Sequence, residues 1–539
     1  MREEHPVHKG ASHYSVTDTP GIGHARTPPS SRKSPETPTE TVLAEVVAEL
    51  LDVPAVDVTA DLPALGLDSI VALSVVQAAR RRGLALRARL MLECASIREL
   101  AAAVDDAAAH PDLGADAGSG PIPVLPNVHW LYRHGDPRRL AQTEAIRLPA
   151  GVTGEQLRAM LAAAVAGHEV LRCRLDLTEM TLIPDADPVT LTEVIITADL
   201  AAAVRQQTAD AVESLDPQQG RLLVAAWLHA PGESGVLVLT GHVLALDPAS
   251  WRILIGELDA HWHTLASGRA LAPVGEQTGY RRWSQLLLER VRTLDTCGFW
   301  ETQLRGPDPV LGARPVQPAT DRAADLQISV SVSDPVLTAA LLADDRPITE
   351  LLAAAAARMI TAWRTRRHQS TPAPLLALET HGRADAAVDP DGITDTADTL
   401  GLLSAIYPVR VPADTGVPHI PGDGIDYALL RYLRPDTAER LAAHRDPQLM
   451  LNYLGRTEIG GGGAAMQDRS LLNGVSPVPE QNLAVYHELT VIAAIMLDPD
   501  GGDDPVLATQ WRWLPEIFTT EDITVLQSLW QDALAEVAS

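Results

Sequence analysis

One segment, residues 236–258, constrains the fold most, because it joins a buried strand directly to an amphipathic helix. Residues 236–240 form an uninterrupted apolar run that predicts a strand, and the spacing of apolar residues over 251–258 predicts a helix. The loop between the two elements carries three side chains suited to chemistry, namely His242, Asp247 and Ser250. Reactive groups are often placed on such loops, so the segment predicts a candidate site in a domain of mixed α/β class.

The sequence of this loop resembles the His-His-x-x-x-Asp-x-x-Ser-Trp signature of the condensation/epimerization superfamily of nonribosomal peptide synthetases. His242, Asp247, Ser250 and Trp251 match the signature, whereas Val243 stands at its second His. The resemblance implies that the second His is the catalytic base and that the first His has a structural part. Because valine cannot accept a proton, we expect a degenerate active site in which His242 is packed and hydrogen-bonded.

Two downstream segments place the resemblance in the epimerization branch of that superfamily. Residues 376–383 resemble its Leu-x-x-Glu-Gly-His-Gly-Arg segment, and residues 452–455 match its Asn-Tyr-Leu-Gly strand. The resemblance implies that Glu379 is the second catalytic group. It also implies a candidate role or a supporting role for four neighbours of that group, namely His381, Arg383, Asn452 and Tyr453.

A further segment, residues 168–174, resembles the His-Glu-x-Leu-Arg segment of the same superfamily. In that family an arginine pairs with the Asp of the central loop. The resemblance therefore implies that Arg172 or Arg174 holds Asp247. An ordinary surface salt bridge is the alternative for both arginines, and it would contribute little to stability.

Residues 39–108 predict a small helical bundle. Apolar residues recur at helical spacing from Leu43 onward, and a second helical pattern begins at Ser69. The motif at this point resembles the attachment site of a peptidyl carrier protein and consists of Gly66, Asp68, Ser69 and Ile70. The resemblance implies a 4′-phosphopantetheine group that is covalently attached to Ser69. An ordinary helix N-cap serine is the alternative.

The chain as a whole predicts two folded domains after a Pro/Ser/Thr-rich tail. The resemblance implies an all-α four-helix carrier followed by a two-lobed α/β domain like chloramphenicol acetyltransferase. It also implies a tunnel between the lobes, which Glu379 and the central loop with Val243 approach from opposite sides. Residues 306–345 predict loop and strand. The predicted boundaries are a tail at 1–38, the carrier at 39–108, a linker at 109–121, an N-terminal lobe at 122–305 and a C-terminal lobe at 306–539.

Composition argues against several classes of partner. The chain has 43 basic and 70 acidic residues, a net charge of −27, which disfavours nucleic acid and anionic membranes. Its three cysteines, Cys94, Cys173 and Cys297, are widely spaced, so we expect no disulfide framework, no metal site and a reducing cytoplasmic setting. No signal peptide is recognisable, and no apolar window is long enough to span a bilayer.

Two functional hypotheses remain open. No adenylation segment is apparent, so we expect a stand-alone adenylation enzyme to load the carrier in trans after a phosphopantetheinyl transferase has modified it. In the first hypothesis the chain is a non-epimerizing platform that presents the aminoacyl thioester to an oxygenase or other tailoring enzyme, alongside other synthetase modules. In the second it is an active epimerase or acyl-transfer enzyme that uses Glu379. Exchange of the α-hydrogen with solvent distinguishes the two.

Overall fold

The computed structural model of the chain describes residues 33–51, 53–62, 65, 67, 69–107, 118–186, 189–197, 199–344, 346–390, 393–413, 416–456, 467–472, 483–497 and 504–539. Several predictions lie wholly or mostly outside these residues. They concern the tail, the linker, and the carrier-motif residues Gly66 and Asp68.

The first domain is a bundle of four helices, as predicted. They are α1 (Pro38–Leu51), α2 (Ser69–Arg81), α3 (Leu90–Glu93) and α4 (Ile97–Ala107). The bundle exists because each long helix turns an apolar stripe inward, and Leu43, Val76 and Leu100 are among its fully buried residues. Helix α2 stops before Gly83, whose φ of 88° suits a glycine after a helix.

The N-terminal lobe of the large domain contains a four-stranded and a three-stranded sheet. Its helices are α5 (Pro126–Tyr132), α6 (Gly154–Gly167), α7 (Leu200–Ser214) and α8 (Pro248–Ala266). Its strands are β1 (Ile122–Pro123), β2 (Ala141–Arg147), β3 (Arg174–Asp176), β4 (Thr181–Ile183), β5 (Leu191–Ile195), β6 (Leu223–His229) and β7 (Val236–His242). The larger sheet has the order β2-β7-β6-β5 and the smaller one β1-β4-β3. Every residue of β7 is buried, as its apolar sequence predicts.

The C-terminal lobe is a six-stranded sheet of order β10-β9-β11-β12-β13-β8. Its strands are β8 (Gln327–Val332), β9 (Leu375–Thr380), β10 (Ala405–Arg410), β11 (Leu449–Arg456), β12 (Leu489–Leu497) and β13 (Pro505–Trp513). The remaining helices are α9 (Tyr280–Val291), α10 (Cys297–Leu304), α11 (Pro335–Leu342), α12 (Ile348–Arg366), α13 (Asp385–Val388), α14 (Ile425–Tyr432), α15 (Pro435–Ala442) and α16 (Thr520–Val537). One large apolar core lies between this sheet and helices α12 and α16.

The prediction of only loop and strand for residues 306–345 is wrong at its end, where α11 forms. Asp334 caps this helix by accepting a hydrogen bond from the Val336 N–H, and Pro335 occupies its first turn.

The two lobes are joined by a shared apolar core and by a chain segment that returns from the second lobe to the first. Tyr280 and Trp283 of α9 are fully buried in one cluster with Leu403 and Leu429. The segment 467–472 reaches back to the first lobe, where the Asp468 N–H donates to the Ala145 carbonyl on β2. The lobes are therefore joined through packing as well as through sequence. Within the described chain, no helix combines the length and apolar character needed to cross a bilayer.

Candidate functional site

The central loop ends in a tightly capped helix. Asp247 is the N-cap of α8, and its Oδ1 accepts hydrogen bonds from both the backbone N–H and the hydroxyl of Ser250, each at 2.7 Å. The Ser250 Oγ in turn accepts from the Gly401 N–H at 3.1 Å. Both side chains are buried and belong to the scaffold that links the loop to residues 399–403.

The partner of Asp247 is Arg383, and the prediction that Arg172 or Arg174 holds this carboxylate is wrong. The Arg383 guanidinium bonds to both carboxylate oxygens, with Nη1–Oδ2 at 3.0 Å and Nη2–Oδ1 at 3.2 Å. Both side chains are 2% exposed, so the pair is shielded from water. Arg172 is exposed and Arg174 pairs with Asp185, because both lie on the segment that runs into β3, which pairs with β4 and not with the central loop.

His242 is fully buried, and both of its ring nitrogens are bound. Nδ1 accepts from the Leu244 N–H at 3.0 Å, which leaves the proton on Nε2 to be donated to the Pro137 carbonyl at 2.8 Å. Burial lowers the pKa of His242 to about 4. A neutral imidazole with no free lone pair cannot take a proton from a substrate.

Val243 and Trp251 are packing residues. Val243 is partly buried against the core of the N-terminal lobe, and its N–H donates to the Leu140 carbonyl at 3.1 Å. Trp251 is 3% exposed and lies against Gly241 of β7. A Cβ at position 241 would stand 2.9 Å from the indole and 2.3 Å from Leu246, so only glycine permits this approach.

Glu379 lies near the end of β9, opposite Ile406 of β10. Its Oε2 accepts a hydrogen bond from the Asn452 side-chain amide, and it is also bonded to the Ser404 hydroxyl. The Asn127 amide of α5 donates to the same hydroxyl at 2.8 Å. Desolvation and the nearby Asp247 carboxylate raise the pKa of Glu379 to about 7.

His381 and Tyr453, the two other candidate residues near Glu379, lie in different surroundings. His381 accepts a hydrogen bond on Nδ1 from the Arg383 N–H at 3.0 Å, and burial and the adjacent Arg383 charge lower its pKa to about 4. Tyr453 points into the C-terminal core on the other face of β11 from Asn452. Of the predicted set, therefore, Glu379 and Asn452 touch each other, and His381 and Arg383 do so as well.

A cavity of about 650 Å³ lies between the carrier and the C-terminal lobe. Its walls include Ala72, Leu73 and Val76 of α2 on one side and Thr380 and His381 on the other. Its lining includes neither Glu379, which faces the other side of β9, nor Val243. The implied tunnel shared by these two residues stays a prediction.

The carrier is docked on its own large domain by charged and polar contacts that the sequence reasoning missed. The guanidinium of Arg80 bridges the carboxylates of Asp395 and Asp398, with Nη2–Oδ2 of Asp395 at 2.5 Å. Gln77 Nε2 donates to the Ala397 carbonyl at 2.9 Å, and the Ala88 N–H donates to Asp395 at 2.9 Å. The sequence feature that could have predicted this docking is a pair of oppositely charged segments. They are the basic end of α2 and the acidic segment 389–398.

A second missed feature is a buried ionic triad around His168. Its Nε2 is 3.0 Å from Glu257 of α8, and its Nδ1 is 2.7 Å from Glu276. The two carboxylates raise the pKa of His168 to about 10, so the ring is a cation that both of them share. Glu276 also accepts from the Leu400 N–H at 2.9 Å, which ties this triad to the loop beneath Asp247.

Comparisons with known families give two matches. The profile of the Condensation domain matches residues 134–417, and that of the Phosphopantetheine attachment site matches residues 41–104. Their order agrees with the predicted order of carrier and large domain. The second match shows that the carrier is of the type that bears covalent 4′-phosphopantetheine. Ser69 is the first residue of α2, and other residues of this helix line the cavity, so the local fold suits a tethered group.

Curated relatives and solved structures extend these matches. One component of the linear gramicidin synthase of Brevibacillus parabrevis is 26% identical over 78% of this chain, and this chain spans 9% of that protein. The epimerization domain from the third module of tyrocidine synthetase B superposes with a TM-score of 0.64 at 19% identity, covering 80% of this chain and 98% of that domain. The X-domain from teicoplanin biosynthesis gives a TM-score of 0.56 at 19% identity, covering 79% and 97%.

Proposed function

Because the chain belongs to the Condensation domain family and carries a phosphopantetheine attachment domain ahead of that domain, we propose that it is a holding module. It keeps an aminoacyl group as a thioester on the arm of Ser69 and does not epimerize it. The observation that supports this proposal most directly is the state of the central loop. Both nitrogens of His242 are bound, and Val243 follows it, so neither position of the His-His pair offers a proton acceptor.

The docking of the carrier on the large domain supports a role in presenting the aminoacyl thioester to a partner enzyme. The bound arm supplies the thiol that holds the amino acid. The face of α2 that follows Ser69 forms one wall of the cavity, while Arg80 anchors the other end of the same helix. A carrier held in this way keeps its cargo at one fixed place on the surface of the large domain, at a high effective concentration.

The partners that we propose follow from the carrier and from one structural neighbour. A phosphopantetheinyl transferase attaches the arm, and an adenylation enzyme loads it in trans. Other synthetase modules accept the group that the arm holds or supply a group to it. An X-domain from teicoplanin biosynthesis has been solved as a complex with OxyB, at a TM-score of 0.54 to this chain. An oxygenase or other tailoring enzyme is therefore the partner that we propose for the large domain.

The experiment is α-proton exchange on the loaded carrier. The purified holo-protein is charged with an amino acid and incubated in heavy water, and the mass and configuration of the released acid are read. We expect no deuterium at the α-carbon beyond the rate shown by the free thioester, and no D-isomer. The Glu379→Gln variant should behave in the same way, and Ser69→Ala should carry no amino acid at all. Exchange that Glu379→Gln abolishes would contradict the holding function.

A second candidate function, epimerization by Glu379 alone, is favoured by one observation. A carboxyl group with a pKa of about 7 is half-ionised near neutral pH, which suits a general acid or base. In that case exchange would rise with pH through about 7, because only the ionised form above its pKa accepts a proton. An exchange rate equal to that of the free thioester at every pH would count against it.

The docking contact gives a further prediction. Arg80→Glu places a negative charge against Asp395 and Asp398, so we expect the carrier to undock and the Ala88 amide, which is bonded to Asp395, to exchange at least about tenfold faster. Hydrogen exchange with mass spectrometry measures this rate. Arg82→Glu is the matched control, since Arg82 pairs with Glu45 and Glu49 inside the carrier. Equal exchange in wild type and Arg80→Glu would show that these ion pairs do not hold the carrier.

A further inference from the structure

Strand β8 is an edge strand of the six-stranded sheet, and among the described strands it pairs with β13 alone. The Ser333 N–H, just after the strand, donates to the Leu507 carbonyl. Since the direction of the backbone groups alternates along an antiparallel strand, the N–H and C=O groups of Ile328, Val330 and Val332 point away from the sheet. Within the described part of the chain these groups have no hydrogen-bond partner.

The sequence of β8, Gln-Ile-Ser-Val-Ser-Val, lacks the features that normally protect an edge strand. It contains no charge and no proline, either of which discourages pairing with another chain. The other edges of the two larger sheets are protected. Strand β10 contains Pro408 and is covered by α10 and α14. Strand β5 carries Glu193, which bonds to His229, and β2 is bridged by Gln467.

The same three residues also expose their side chains. Ile328 is 51% exposed, Val330 60% and Val332 41%. Ser329 and Ser331, on the other face, accept hydrogen bonds from Gln527 and Trp511 and so fix the strand against the core. The outer edge therefore offers free backbone groups and a row of aliphatic side chains at the same positions.

We propose that β8 pairs with β8 of a second copy of this chain, antiparallel about a two-fold axis at Val330. In this register Val330 faces its own mate and Ile328 faces Val332, so each exchanges both of its outward backbone hydrogen bonds with an aliphatic residue opposite. Ser329 faces Ser331 on the other side of the sheet. The register is self-complementary, as an isologous interface requires.

Charge and location agree with self-pairing. The net charge of −27 makes most surfaces of two copies repel each other. Strand β8 itself has no ionisable side chain. The nearest acidic residues, Asp325 and Asp334, fall outside the paired range 328–332. The pairing joins two six-stranded sheets into one and leaves both carriers, which dock on other elements, accessible.

Sedimentation velocity of the full-length protein over a concentration series tests this proposal. We expect a monomer–dimer equilibrium, and we expect Val330→Lys, which sets two like charges directly opposite each other, to raise the dissociation constant about tenfold or more. Ile195→Lys is the matched control, because Ile195 is a comparably exposed aliphatic residue, at 51% against 60% for Val330, but lies on β5. Its dissociation constant should match that of wild type, and both variants should keep the wild-type melting temperature at a protein concentration low enough for every protein to be monomeric.

Hydrogen exchange locates the contact. The amides of Ile328, Val330 and Val332 should become protected as the protein concentration rises, and Val330→Lys should remove this protection. A monomer at every concentration would overturn the proposal. So would protection of these amides at all concentrations in a monomer, since another segment of the same chain would then occupy the edge. Dimerisation that Val330→Lys leaves unchanged would place the interface elsewhere.

Discussion

Val243→His is expected to give the large domain an α-proton exchange activity that the wild type lacks, at roughly 10² to 10⁴ times the background rate. This is the range that one positioned general base contributes. His242 cannot supply the base, because its ring is bound to Leu244 and Pro137. Val243 lies in the turn that follows β7 and is partly buried against the core of the N-terminal lobe, so an imidazole at position 243 has a different environment from that of His242. The measurement is deuterium incorporation into the carrier-bound amino acid.

Two controls make this gain interpretable. Val243→Gln introduces a polar side chain that is similar in size to histidine but is not basic, so α-proton exchange should stay at the background rate. Adding Glu379→Gln to Val243→His should remove most of the gain if the carboxyl group on the opposite side of the α-carbon returns the proton. A Val243→His protein that folds, loads and shows no exchange would mean that the domain lacks more than its base, and the tunnel implied for these two residues would then be in doubt.

Local structure was predictable where a short pattern determines it. The apolar run at 236–240 became β7, and the helical spacing over 251–258 became part of α8, because both patterns depend on neighbouring residues only. The helix at 335–342 escaped the prediction, although Asp334 and Pro335 are an ordinary start signal. The sequence motif also identified Glu379 and Asn452, which the sheet brings into contact.

Contacts between distant segments were not predictable in the same way. Nothing local distinguishes Arg383 from Arg172 as the partner of Asp247, since only the packing of the two lobes brings residues 247 and 383 together. Similarly, Arg80 at the end of α2 suits the helix dipole as well as it suits Asp395. The triad of His168, Glu257 and Glu276 depends on three separate elements meeting, which no periodicity in the sequence encodes.

The buried pair of Arg383 and Asp247 predicts the largest loss of stability. Arg383→Ala leaves the Asp247 carboxylate without its cation in a site that water does not reach, and such losses are on the order of 3–5 kcal/mol. Arg383 also donates to the Thr399 carbonyl at 2.9 Å, so the change loosens the loop that packs under the helix start. Denaturant unfolding of the full-length protein, followed by tryptophan fluorescence, measures the change in the free energy of unfolding.

Arg172→Ala and Arg174→Ala are the matched controls, because the sequence motif pointed to these residues and the structure pairs neither of them with Asp247. Each should change the free energy of unfolding by less than about 0.5–1 kcal/mol. Asp247→Asn combined with Arg383→Met should cost less than the sum of the single changes, because removing both charges leaves neither one buried alone. A large loss in Arg172→Ala together with a small one in Arg383→Ala would show that the carboxylate of Asp247 is held from the N-terminal lobe after all.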